Sequence, residues 1–203
     1  MTLLVNIATE DELSEAVAVR LVNGAFGDGR VGNRLGRKGN GYLIKKLPSL
    51  RQMANREPVL VLTDLDDTNC APNLIETWSD GQAFPENLLL RVAVRETEAW
   101  LLADRNGMAK LLGISPNKIP IDPETLDDPK RFLLNLARNA KREVRSELIV
   151  AKGAAASQGL GYNRLLSSFV SSDWKLEDAI IGSASLFKAV VRLRELADRT
   201  PTD

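Results

Sequence analysis

Three short apolar runs, each ending in acidic residues, constrain this chain more than any other feature. "TLLVNIA" (2–8) leads into Thr9, Glu10, Asp11 and Glu12. Val59 to Thr63 leads into Asp64, Asp66 and Asp67, within "PVLVLTDLDDTNCAP" (58–72). "NLLLRVAVR" (87–95) leads into Glu96 and Glu98. Runs of this length and composition read as buried strands. The stretches between them, "EDELSEAVAVRLV", "YLIKKLPSLRQMA" and "APNLIETWSD", carry apolar residues at helical spacing. Thr9 is placed to cap the first helix with Glu12 in a capping box, and Pro48 to break or kink the second. Strands alternating with helices predict an α/β fold: a mostly parallel sheet flanked by helices.

After Gly107 the pattern is helical: "FLLNLARNA", "YNRLLSSFV" and "SLFKAVVRLRELA" follow a loop, "ISPNKIPIDPETLDDP". The expected organisation is an α/β core over 1–105 and a helical C-terminal tail over 106–203, packed on that core. The 203 residues are enough to bury a core. No stretch is long and apolar enough to span a bilayer, and the N-terminus has no basic flank or cleavage site, so a cytoplasmic protein without a membrane partner is expected.

Two counts narrow the chemistry. The chain has no histidine, which removes Ser-His-Asp and Cys-His nucleophiles and imidazole zinc sites. It has one cysteine, Cys70, too few for a disulfide or a cysteine cluster. An enzyme built this way works with carboxylates, lysines, hydroxyls and a metal.

In an open parallel sheet, ligands gather at the carboxyl ends of the strands. Residues two apart on an extended chain point the same way, so Asp64 and Asp66 can face one ligand while Leu65 turns inward. Carboxylates brought close together raise one another's pKa unless a cation lies between them. Mg²⁺ (or Mn²⁺), a hard ion held by one or two carboxylates plus water and phosphate, resolves that conflict and suits phosphodiester hydrolysis. The plainer reading of "DLDDTN" is a capped strand-to-helix turn.

A glutamate after the first strand followed by D-x-D at the end of a later one resembles the Toprim fold. This is the magnesium-dependent catalytic domain of topoisomerases, DnaG-type primases and overcoming-lysogenization-defect nucleases. "RETEAWLLAD" (95–104) and, less closely, "GLGYNRLLSSFVSSDWKLEDA" (159–179) with "SASLFKAVVRLREL" (183–196) look like segments of small bacterial Toprim-like proteins, several of which act in phage defence beside an ATPase. The resemblance implies a nuclease acting on DNA or RNA, with Glu10 as acid/base or metal-linked glutamate. Asp64 and Asp66 would be the metal pair, and Glu98 or Glu96 a supporting acid. Asp11 stands where that family usually has glycine, which leaves Glu10 and Glu12 both open as the functional acid.

"VLTDLDDTN" also nearly spells the D-x-D-x-T motif of haloacid-dehalogenase-type phosphatases, in which Asp64 would be the nucleophile, Asp66 the acid/base and Thr68 a phosphate ligand. The motif follows 58 residues rather than opening the chain, and no lysine with a paired-acid strand end follows it. A third possibility is a non-catalytic adaptor whose acidic patch binds a protein.

The segment from Asn23 to Gly41 is rich in glycine and reads as a loop. Its Arg30, Arg34, Arg37 and Lys38, with Lys45 and Lys46 beyond, suit a clamp on nucleic-acid phosphates, and Lys152 is a further phosphate candidate. The alternative is a solvated basic surface. Trp78, Trp100 and Trp174 sit in apolar helical patterns as core anchors, and Ser183 and Ser185 are placed to cap the last helix.

Overall fold

The computed structural model describes residues 3–150 and 158–199. Lys152 lies outside the described residues. Four strands form one sheet: β1 (Val5–Thr9), β2 (Val31–Gly36), β3 (Val59–Asp64) and β4 (Leu88–Ala93). Their spatial order is β2-β1-β3-β4, and every neighbouring pair is parallel. The expected α/β class with a parallel sheet is what the chain adopts.

Among the described residues ten α-helices cover the sheet and extend beyond it. The first three are α1 (Glu12–Phe26), α2 (Asn40–Ala54) and α3 (Ala71–Ser79), which connect successive strands. After β4 come α4 (Thr97–Ala103), α5 (Arg105–Leu112), α6 (Pro129–Ala137) and α7 (Arg142–Leu148). The chain then adds α8 (Tyr162–Ser172), α9 (Leu176–Ala179) and α10 (Ala184–Arg199). No helix among the described residues is long and apolar enough to cross a membrane.

The sheet separates two apolar clusters. On one face Ile7, Leu60, Leu62 and Leu89 meet α1, and the same cluster continues through Trp100, Tyr162, Leu166, Trp174 and Leu193. The C-terminal helices thus share their core with the sheet. On the other face Ala8, Val59, Val61 and Leu90 meet α2 and α3 through Leu43, Leu47, Leu50, Leu74 and Trp78.

Three local expectations change. The first helix is capped by Asp11, not Thr9: the Asp11 carboxylate accepts from the Ser14 N–H at 2.8 Å, and Ser14 Oγ accepts from the Asp11 N–H at 3.0 Å. Thr9 is the last residue of β1, because its backbone pairs with β2 and β3. α2 runs unbroken through Pro48, which sits on its exposed side. The segment 23–41 is not a plain loop: β2 lies within it as an edge strand. The two glycines within β2 allow close approach: a Cβ on Gly32 would crowd the Asn6 side chain, and one on Gly36 (φ 120°) would run into the Thr9 carbonyl.

Candidate active site: acids at three strand ends

The sheet order places the ends of β1, β3 and β4 side by side, with the crossover reversing between β1 and β3. That is where open parallel sheets hold ligands. Glu10 follows β1 directly. Its Oε1 accepts from the Asp64 N–H at 3.1 Å and from the Thr63 hydroxyl. Asp64 ends β3, and its Oδ1 accepts from both the Thr97 N–H at 2.8 Å and the Thr97 hydroxyl at 2.7 Å. These bonds load one oxygen of each carboxylate; the second oxygen of each has no hydrogen bond among the described residues.

Asp66 stands two residues on, exposed and at φ 48°. Arg95 holds its loop, donating from Nη1 to the carbonyls of Asp66 at 3.2 Å and Thr68 at 3.3 Å. Glu96 and Glu98 come from the start of α4. The Glu98 carboxylate is buried, takes the Tyr162 hydroxyl at 2.7 Å and lies 4.0 Å from Lys130 Nζ. Glu96 accepts the Lys130 N–H at 2.8 Å. Glu12, in the first turn of α1, is exposed and takes no part, so Glu10 is the acid that joins Asp64.

The electrostatics follow from this packing. Burial pushes Asp64 well above the usual carboxylate range, and the charges of Glu98, Glu10 and Asp66 push it further, against the Thr97 bonds. Glu10 is raised by burial, against its bonds to Thr63 and Asp64, with the Asp66 charge adding to the rise. Burial raises Glu98 despite its Tyr162 bond, and lifts Glu96 to about 7. Asp66 is raised by burial and by Asp67, and drawn down by Lys130. Acids from three strand ends therefore feel one another's charge. Among the described residues, no group of three or more His, Cys, Asp or Glu is gathered closely enough to hold an ion unaided.

Beside Asp64 opens a cleft of about 360 Å³, lined by Asn40, the loop Asp64 to Thr68, Leu74, Thr77 and Trp78. The basic segment is partly committed elsewhere. Arg37 clamps the buried Glu15 carboxylate with Nε at 2.7 Å and Nη2 at 2.6 Å, and Arg34 reaches it at 3.4 Å. The guanidinium pair holds Glu15 below the usual carboxylate range. Lys38 leans over the Tyr42 ring, 5.2 Å from its centroid. Arg30 is half-buried at the start of β2, where its carbonyl accepts the Val5 N–H.

Family models, curated proteins and solved structures were compared with this chain, and none matches. The geometry must carry the reading. Sequence reasoning did not single out Thr63, Thr97, Arg95, Lys130 or Tyr162. The two threonines adjoin acids that were singled out, at Asp64 and between Glu96 and Glu98, and a hydroxyl beside a buried carboxylate is a usable signal. Lys130 and Tyr162 arrive from helices 34 and 64 residues beyond their partners, which no local pattern announces.

Proposed function

We propose that this chain is a divalent-metal-dependent hydrolase of phosphodiester bonds in DNA or RNA, of the Toprim kind. The observation that carries the reading is the junction of Glu10 with the β3 end, where the Glu10 carboxylate accepts the Asp64 N–H and the Asp64 carboxyl feels the charges of Glu98, Glu10 and Asp66.

The donor set fits a hard cation. Several partly or fully buried acids face one close lysine, Lys130, and raise one another's proton affinity rather than being neutralised. Mg²⁺ asks for one or two carboxylates and completes its shell with water and phosphate, so a chelate of three acids is not required. Asp64 and Glu10 would hold the ion through their unbonded oxygens, with Asp66 at the mouth. Such an ion supplies positive charge to a phosphoryl oxygen and acidifies a nearby water.

The side chains have separate tasks. Thr97 fixes the rotamer of Asp64, and Thr63 fixes that of Glu10. Where water takes the place of Glu10 on the ion, Glu10 would instead accept the proton of the attacking water. Glu98 is a supporting acid, oriented by Tyr162 and balanced by Lys130, which also offsets Asp66. Arg30 and Lys38 remain candidates for phosphate contact, whereas Arg34 and Arg37 first serve Glu15. From the resemblance come an ATPase partner and a part in phage defence, with which the cytoplasmic setting expected from the sequence agrees.

A phosphomonoesterase is the second reading, because Asp64, Asp66 and Thr68 line one cleft. One experiment separates the readings: incubation with labelled oligonucleotide and with a chromogenic phosphomonoester, in Mg²⁺, Mn²⁺ or EDTA. The proposal expects metal-dependent oligonucleotide cleavage that Asp64→Asn lowers by at least about a hundredfold. Release of phosphate from the monoester alone, with phosphate trapped on Asp64, would establish the phosphatase. Neither activity would leave the adaptor.

A further inference from the structure

The cleft beside Asp64 has a wall that metal chemistry does not use. Leu74 and Trp78, one helical turn apart on α3, close its floor together with Leu65, all three buried in the core so that only their edges reach the cleft. Asn40, Thr68 and Thr77 add uncharged donors and acceptors around the rim. Among the described residues no lysine or arginine lines the cleft itself; Arg95 reaches only the Asp66 and Thr68 carbonyls of its loop, and Lys130 acts on Asp66 by charge. The cleft's carboxylates repel a bare phosphate, so phosphate belongs with a cation at the acids and the remaining space suits an uncharged group. At about 360 Å³ it is at the small end of ligand sites, which run from about 300 to 1,000 Å³. A stacked base pair does not fit.

We propose that this cleft holds one unstacked nucleoside of the substrate beside the reacting phosphate, so that the substrate is single-stranded or frayed nucleic acid. A heteroaromatic base can exchange hydrogen bonds with the amide and hydroxyl groups of the rim while its uncharged ring rests on the apolar edges of the floor, as bases of unpaired strands do. The size of the cleft, the carboxylates along it and its position next to Asp64 favour a base over a bare phosphate or a duplex. This inference rests on the hydrolase reading for its substrate, but the nucleoside site itself can be tested without catalysis.

The test is an amide and indole NMR titration of the whole chain with adenosine, which carries no charge, in EDTA. The expected result is shifts at Asn40, Thr77 and the Trp78 indole, with affinity lowered about tenfold in Thr77→Phe, which fills the cleft from an exposed position. Asn40→Ala, also exposed, weakens binding too and serves where Thr77→Phe folds poorly. Shifts elsewhere, or affinity unchanged in both variants, would overturn the site. In the metal-loaded enzyme, single-stranded oligo-dT or oligo-U is expected to be cut about tenfold faster than a blunt duplex, and equal rates would overturn the substrate class. Adenosine bound in the cleft of a chain that cuts nothing would remove the hydrolase reading and leave the nucleoside site. Cleavage with no adenosine in the cleft would do the reverse.

Discussion

Asp64 keeps a carboxyl group where a parallel sheet least tolerates one, at the buried end of a central strand with Glu10 and Glu98 in electrostatic range. Thr97 supplies two donors to it but no charge, so ionising Asp64 in the free protein costs stability. Asp64→Asn keeps an acceptor for Thr97 and removes the repulsion. It is expected to raise the midpoint of calorimetric unfolding in EDTA at pH 8 by about 2–4 °C, the equivalent of about 1 kcal/mol, while abolishing cleavage. Arg37 presents the opposite case. Its fork satisfies the buried Glu15 carboxylate, so Arg37→Ala is expected to lower stability by about 1–2 kcal/mol in urea titration, after allowance for the exposure of the arginine. Lys38→Ala should lie within about 0.5 kcal/mol of the parent. Asp64 and Asp66 were legible as an aspartate pair at a strand end. The commitment of Arg37 was not, because Glu15 looks like an ordinary surface residue of an amphipathic helix until α1 packs.

At the scale of elements, β2 shows how composition misleads. Glycine at 24, 27, 29, 32, 36, 39 and 41 signals a loop, yet the backbone between Val31 and Gly36 pairs in parallel with β1. Some of these glycines are there because neighbouring backbone or side chains come too close for a Cβ, at Gly32 against Asn6 and at Gly36 against Thr9. Gly36→Ala is therefore expected to cost at least about 2 kcal/mol by chemical denaturation. Gly41→Ala, in α2 with open space around it, is expected to add about 0.5 kcal/mol. The other strands were readable because their runs are mostly apolar, broken only by Asn6 in β1 and Arg91 in β4. α1, α3 and α4 were readable from their spacing, and α2 also, although Pro48 does not divide it. The short α7, "REVRSEL", has few apolar positions to mark it.

For the whole molecule, the acids at the strand ends set a dependence on pH. Glu96 rises to about 7 from an ordinary value near 4.5, and Glu10, Asp64 and Glu98 rise with it. The folded chain therefore holds protons that the unfolded chain releases from about pH 4.5 upward. The contribution of these acids to stability in EDTA is fully present below that value and falls as the pH climbs to about 7, whereas Glu15, held low by Arg37, contributes in the opposite sense and loses its share as the pH falls. Unfolding midpoints measured across this window check the sign, and a stability that rose instead would contradict it. The α/β class followed from alternating patterns, whereas the single apolar cluster joining Ile7 to Leu193 did not. Periodicity marks a buried face but not the face it meets, so Tyr162 beneath Glu98 had no trace in the chain order. The most direct test of the central claim is anomalous diffraction from crystals soaked in Mn²⁺. The expected result is a peak in direct contact with the Asp64 and Glu10 carboxylates. Crystals that diffract well and show no manganese beside Asp64, at a pH above 7, would contradict it.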